Sequence, residues 1–515
     1  MSRAGSFGVA ANACGWLAVA CAFSACVDDA VTLPDDWNTL HHRQITVDIF
    51  TRMPGAAGLA RPLQGIDGAP LARHPELPDL TLTYWDRPGG SDDPDGVHVD
   101  IVRIGPETCE LTLDGIYQGG EPQPESFDFA ELERHAASVE GIRGEGLLLA
   151  LDFSTAADGC GDADAFATAL AEPATWAEAA ASTVRHLNGD TLWNPGAHAY
   201  PIVGVQLFHM PDDEADEASA FALFAAAARR IDVVAPTVAI VSPELTLTAT
   251  SFASGALVRF INAVVTEAVP LDVLSLRVTG DPATVATLVT ALADHLEAVG
   301  LDSELAITTL LPAPLDLPFA ADSKLGRAHL GASEMATRIR LQDSPVRWLF
   351  SGQGPWSVAS SYQPSATATL GDSDLISTPY FDRAGVATAA FVMRAPMRQI
   401  EGEQRVLATT DAGDGLAVMA TLDDGHVSIL IAHPAAETGV GSITYTLTIP
   451  SFALPTFPSA DYRIAEIDQS NQGIASFFYA DLGTLDTDPT TGDIRLVRTL
   501  PVPGIHFIEI DQPLP

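Results

Sequence analysis

From about residue 97 to residue 350, short apolar runs alternate with stretches whose apolar residues return every three to four positions. The runs rich in β-branched and aliphatic residues are strand-like, and the longer periodic stretches are helix-like. Strands are expected over 97–104, 111–117, 147–153, 200–208, 237–241, 271–278, 304–310 and 346–350, which makes eight. Helices are expected over 127–139, 165–187 with a break at Pro173, 218–233, 254–268, 282–299 and 326–340. The run 147–153 is apolar almost throughout, as a strand buried on both faces must be. Such alternation over about 250 residues predicts a closed (β/α)8 TIM barrel, assigned to 96–385. The segment 111–117 is its weakest strand, because no full helix separates it from the next.

Near residue 391 the period changes. Runs at 416–422, 427–432, 443–449, 462–467, 494–500 and 505–510 are separated by Gly, Pro and Asp turns. That pattern predicts an antiparallel β-sandwich, assigned to 386–515. Ahead of the barrel, 27–95 reads as a loop-rich lead with strand-like runs at 44–50 and 80–85, packing on the sandwich or the barrel. The acidic stretch Gly89-Gly90-Ser91-Asp92-Asp93-Pro94-Asp95-Gly96 lacks the ligand alternation of a calcium loop and is read as a solvated turn.

At the start, Arg3 is followed by an apolar run from Phe7 to Ala25 that ends in Phe23-Ser24-Ala25-Cys26. A basic start, a short apolar core and small residues before the cut describe an export signal. The small-small-Cys ending resembles a bacterial lipoprotein signal, so 1–26 is assigned as the signal with cleavage before Cys26, the lipidated residue. The expected location is the cell envelope, as an outer-membrane lipoprotein, with a secreted or periplasmic form as the alternative. Cleavage would leave Cys109 and Cys160 as the remaining pair, which in an exported protein invites a disulfide; two free thiols are the other reading. No spacing suggests a zinc site, and no cofactor is expected.

Charge narrows the partners. The 515 residues include 67 acidic and 26 basic side chains, a formal −41, and Lys324 is the sole lysine. Such a surface repels phosphate backbones and anionic head groups, so nucleic acid is excluded, and the membrane is met only through the N-terminal lipid. Neutral oligo- or polysaccharide is unaffected by this field, and protein partners are left open. The 47% hydrophobic content and positive mean hydropathy are those of a folded chain.

Several segments carry local signatures in a telling order. Val102-Arg103-Ile104-Gly105, then Phe127-Asp128-Phe129, then Val184-Arg185-His186-Leu187 precede Phe208-His209-Met210-Pro211. Leu271 to Arg277, Ile307-Thr308-Thr309-Leu310 and Tyr462 to Asn471 follow. In order and spacing this resembles glycoside hydrolase family 39, the β-xylosidase and α-L-iduronidase family, over most of the chain after the signal. The resemblance implies a barrel followed by a sandwich and a retaining mechanism with two catalytic glutamates. It places them at Met210, where the family reads Trp-Asn-Glu-Pro, and at Thr309, where it reads Ile-Thr-Glu-Trp. Neither is a glutamate here.

A retaining glycosidase needs one carboxyl to protonate the leaving oxygen and another to attack the anomeric carbon. A thioether at 210 has no proton to give, and a threonine hydroxyl is a poor nucleophile. The expectation is therefore a glycosidase-like, catalytically inactive envelope protein that binds or scaffolds carbohydrate. Phe208, His209, Arg103, Arg277 and Trp356 are the candidate ligand-binding residues. The alternatives are an active hydrolase with relocated carboxylates, of which Glu214, Asp212 and Glu244 are the fallback candidates, and an interaction lipoprotein with no small-molecule ligand.

Overall fold

The computed structural model describes residues 40–54, 58–67, 101–105, 109–139, 146–153, 165–194, 198–211, 214–251, 255–312, 323–350, 388–411, 415–434, 441–452, 459–471 and 479–511. The expected signal and Cys26, the pair Cys109–Cys160 (Cys160 entirely, Cys109 as to its side chain), Asp212 and Trp356 lie outside what is described. Among the described residues, no helix is long and apolar enough to cross a membrane.

Strand β1 (Leu40–Arg52) belongs to the sandwich, and the barrel strands follow it. They are β2 (Gln64–Asp67), β3 (Ile101–Ile104), β4 (Gly146–Leu151), β5 (Ile202–Leu207), β6 (Ala239–Val241) continued by β7 (Leu245–Leu247), β8 (Val273–Gly280), β9 (Glu304–Pro312) and β10 (Val346–Phe350). All pair in parallel. Strand β10 returns to β2, and β6 meets β8 at Val241–Val273, so eight strand positions close the ring.

The count of eight holds, but its membership changes. The segment 111–117 is not a strand. A 3-10 turn, Cys109–Leu111, leads into the helical turn α1 (Leu113–Ile116), with the Thr112 hydroxyl accepting from the Gly115 amide at 3.2 Å. Its place is taken by β2, so 101–104 is the second barrel strand rather than the first. Helices α2 (Ala130–Val139), α3 (Ala165–Ala171), α4 (Pro173–Leu187), α5 (Glu214–Val234), α6 (Ala256–Glu267), α7 (Pro282–Val299) and α8 (Lys324–Arg340) make the outer layer. Asp281 caps α7, and a left-handed Gly300 ends it.

The second domain is a nine-stranded sheet in the order β16-β15-β18-β13-β12-β11-β1-β14-β17. Its strands are β11 (Gln404–Thr410), β12 (Ala417–Asp423), β13 (His426–His433), β14 (Gly441–Ile449), β15 (Ser459–Asp468), β16 (Asp481–Asp486), β17 (Ile494–Val502) and β18 (Gly504–Asp511). Pairing is antiparallel except between β1 and β14. The sheet folds over so that its two ends approach, and Arg498 of β17 bonds Asp481 of β16 at 2.6 Å. Alternate residues of β1 and β14, Ile45, Val47, Ile49, Tyr445, Leu447 and Ile449, fill the interior.

Helix α8 is the seam between the domains. Ala328, Ala332, Met335, Ala336 and Ile339 pack against Met419, Leu430, Ala432, Ile467, Ile505 and Phe507 of the sandwich. Every residue from Gly326 to Ile339 is buried, including Arg327, His329, Glu334 and Arg338. Burial pushes the His329 imidazole down to about 3, so it is neutral in the folded protein.

Candidate functional site

In a parallel barrel, the chemistry gathers where the strands end at their C-termini. Three of these ends carry a connected polar system. Glu244 leaves the break between β6 and β7 and turns its carboxylate onto β8 and β9. One of its oxygens accepts from Nε and Nη2 of Arg277, both at 2.8 Å. The other accepts from the hydroxyls of Thr308 at 2.9 Å and Thr309 at 2.6 Å.

Successive residues of a regular strand face opposite ways, so one carboxylate would not ordinarily meet two consecutive threonines. A bulge explains it: Leu276 pairs with Ile307 but Arg277 pairs with Thr309, leaving Thr308 as the extra residue. Both hydroxyls are buried.

Thr308 Oγ1 is 2.9 Å from the Glu244 oxygen, the nearer of its two acceptors, and 3.3 Å from the Leu276 carbonyl; it shares a hydrogen bond with Ser275 Oγ at 2.7 Å, which accepts from Gln206 Nε2 at 3.1 Å. Ser242 Oγ accepts from the Ser275 amide at 2.8 Å and donates to the Pro243 carbonyl at 2.7 Å. The Gln206, Ser275 and Thr308 bonds form a chain that reaches Glu244, whereas the Ser242 bonds end on the Pro243 carbonyl.

Across the mouth, β5 ends in a left-handed turn. Phe208 has φ +61°, a region costly for an aromatic residue, and its amide donates to the Leu151 carbonyl at 2.7 Å. The turn presents His209, whose Nδ1 lies 2.6 Å from an Asp152 oxygen and whose ring sits 4.4 Å from that of Phe166. Asp152 also accepts from the Phe153 amide at 2.8 Å. Met210 is half-buried against the barrel core. The Phe208 ring is buried, 5.2 Å from that of Phe153, so it packs inward and is not a stacking platform.

Arg103 lies on β3, buried, with its guanidinium 5.4 Å from the Phe350 ring centroid. Glu214 opens α5, and nothing is described of its side chain. Of the expected site residues, the structure joins Glu244, Arg277 and Thr309, and pairs His209 with Asp152. Sequence reading did not single out Thr308, Ser275 or Gln206. Their signal was a polar residue in an otherwise apolar strand. Among the described residues, no group of three or more His, Cys, Asp or Glu side chains could hold a metal ion.

A closed parallel barrel, a sandwich packed on its last long helix and a polar cluster at the strand ends define a glycoside hydrolase-like fold. Comparison with solved structures agrees. A glucosidase from Croceicoccus marinus superposes with a TM-score of 0.63 at 18% identity, over 93% of this chain and 100% of that one. A GH39 enzyme from Xanthomonas axonopodis pv. citri gives 0.58 at 10% identity, over 95% and 100%. A bacterial orthologue of human α-L-iduronidase gives 0.57 at 13% identity, over 92% and 85%. No family model matches the sequence, and no curated protein matches it.

Proposed function

We propose that this chain is a family 39-type barrel that binds oligo- or polysaccharide at its strand ends without hydrolysing it. The observation that carries the reading is the state of Glu244. Two carboxylate oxygens offer about four lone-pair sites, and four donors occupy them. A nucleophile needs a free lone pair aimed at the anomeric carbon, and this group has none to offer. Met210 and Thr309 supply neither an acid nor a strong nucleophile. The His209–Asp152 pair can exchange a proton, but protonating a leaving oxygen does not complete the displacement. Loss of general acid catalysis alone lowers a rate by about 10²–10⁴.

Hydrolysis of aryl β-xylosides, β-glucosides and α-L-iduronides is therefore expected to stay at the buffer rate, while calorimetry detects oligosaccharide binding. Turnover that Glu244→Gln abolishes would reverse the assignment in favour of relocated carboxylates. Absence of any glycan binding at millimolar concentration would favour a purely structural role.

The proposal includes the cell envelope as the location, resting on Arg3, the apolar run to Ala25 and Cys26. Palmitate fed to a bacterial expression host is expected to label the protein, and Cys26→Ser to abolish the label. An unlabelled wild-type protein in the soluble periplasm would point to the secreted form.

A further inference from the structure

We propose that Arg277, Thr308 and Thr309 form a carboxylate-binding cradle whose occupant is the chain's own Glu244, and that this internal occupant bars acidic sugars from the mouth. The second half rests on the carbohydrate reading above; the first does not. The cradle has features that recognise a carboxylate ligand: a guanidinium whose Nε and Nη2 converge on one oxygen, and two hydroxyls on the other. Thr308 and Thr309 are 0% and 3% exposed, so their direction is set by the strand and its bulge rather than by the ligand. Arg277 is 53% exposed at the side chain while Glu244 is 20% exposed, which places the occupied cradle open to the mouth.

A uronate entering the mouth finds the cradle filled by a like charge. The other described guanidinium there, Arg103, is buried against Phe350. The ligand that fits is a neutral glycan, which brings no like charge to the filled cradle.

The test is chemical rescue. Glu244→Ala empties the cradle, and sodium acetate is then titrated against the variant and the wild type, with acetamide and sodium chloride as controls. The melting midpoint of Glu244→Ala is expected to rise saturably, by a few degrees, with acetate alone, and that of the wild type to stay level. If the variant folds only from acetate-containing buffer, the cradle is equally supported. Failure to fold with or without acetate, or an equal response to acetamide, overturns the cradle.

In parallel, wild-type protein is titrated with neutral xylo-oligosaccharides and with their glucuronate-bearing counterparts. The acidic ligands are expected to bind at least about tenfold more weakly, and Glu244→Ala to narrow that gap. Equal or tighter uronate binding by the wild type overturns the exclusion. Acetate rescue with no binding of any glycan leaves the cradle standing and defeats both the exclusion and the carbohydrate reading.

Discussion

Thr309→Glu, which puts a glutamate where the resemblance to family 39 expects one, is expected to destabilise this protein by about 3–4 kcal/mol at pH 7. The Thr309 hydroxyl is 2.6 Å from a Glu244 oxygen and 3% exposed, so a carboxylate grown from that position meets another already bound. Two carboxyls sharing one site cannot both ionise cheaply, and one of them titrates roughly 2–3 pH units above the unfolded value of about 4.3.

A carboxyl whose folded pKa is raised binds more protons folded than unfolded. The penalty is therefore absent below about pH 4.3 and grows as pH rises toward the folded value. Urea unfolding at a series of pH values should show the loss shrink to about 1 kcal/mol near pH 5. Thr309→Gln is the control: it adds the same bulk without the charge, so its loss should not vary with pH. Removing the repulsion in Thr309→Glu/Glu244→Ala should recover stability at pH 7. Identical pH profiles for the Glu and Gln variants would show that Glu244 is not where the structure puts it. A carboxylate at 309 would therefore not be free to act, because Glu244, from the break between β6 and β7, already occupies the space beside it.

The barrel was legible where its strands are long and aliphatic. Leu147 to Leu151 announces itself, and so do Val205 and Leu207 on either side of Gln206. Strand β2 was not legible, because Gln64-Gly65-Ile66-Asp67 is too short and too polar to show a period. Its glycine has a packing reason: a Cβ at 65 would sit 2.7 Å from the Phe350 ring. The misread 111–117 carried a helical sign in Leu113 and Ile116, three apart and both buried, behind a capping threonine. The parallel pairing of β1 with β14 joins residues about 400 apart, which no local pattern reports.

The site divides in the same way. That Met210 and Thr309 are not carboxyls is plain from the letters. That Glu244 reaches Thr309 depends on a one-residue bulge in β9, and a bulge is a property of two strands together rather than of either sequence. The left-handed turn at Phe208 is likewise invisible in a residue type that normally avoids it. Helix α8 carries Arg327, His329, Glu334, Arg338 and Arg340, so its sequence gives no sign of burial. It is buried only because a sheet formed by far later residues folds back over it.

That seam carries the other large effect. Glu334, Arg338 and Arg394 are each at most 1% exposed. A Glu334 oxygen lies 3.3 Å from Arg394 Nη2 and 3.7 Å from Arg338 Nη1, so this carboxylate faces both guanidiniums between barrel and sandwich. Glu334→Ala removes the carboxylate while leaving both positive charges in place, and is expected to cost about 3–5 kcal/mol. An unchanged urea midpoint would mean that other groups neutralise the arginines. The triple variant Glu334→Leu/Arg338→Met/Arg394→Met should be neutral or more stable, because desolvating three ions costs more than their long contacts return. Helix α8 begins shortly after β9, the strand that holds Thr308 and Thr309. The Glu334→Ala loss should accordingly lower glycan binding only through the fraction unfolded, with the affinity of the folded remainder unchanged, whereas Glu244→Ala should change the neutral-to-acidic preference of the folded fraction itself.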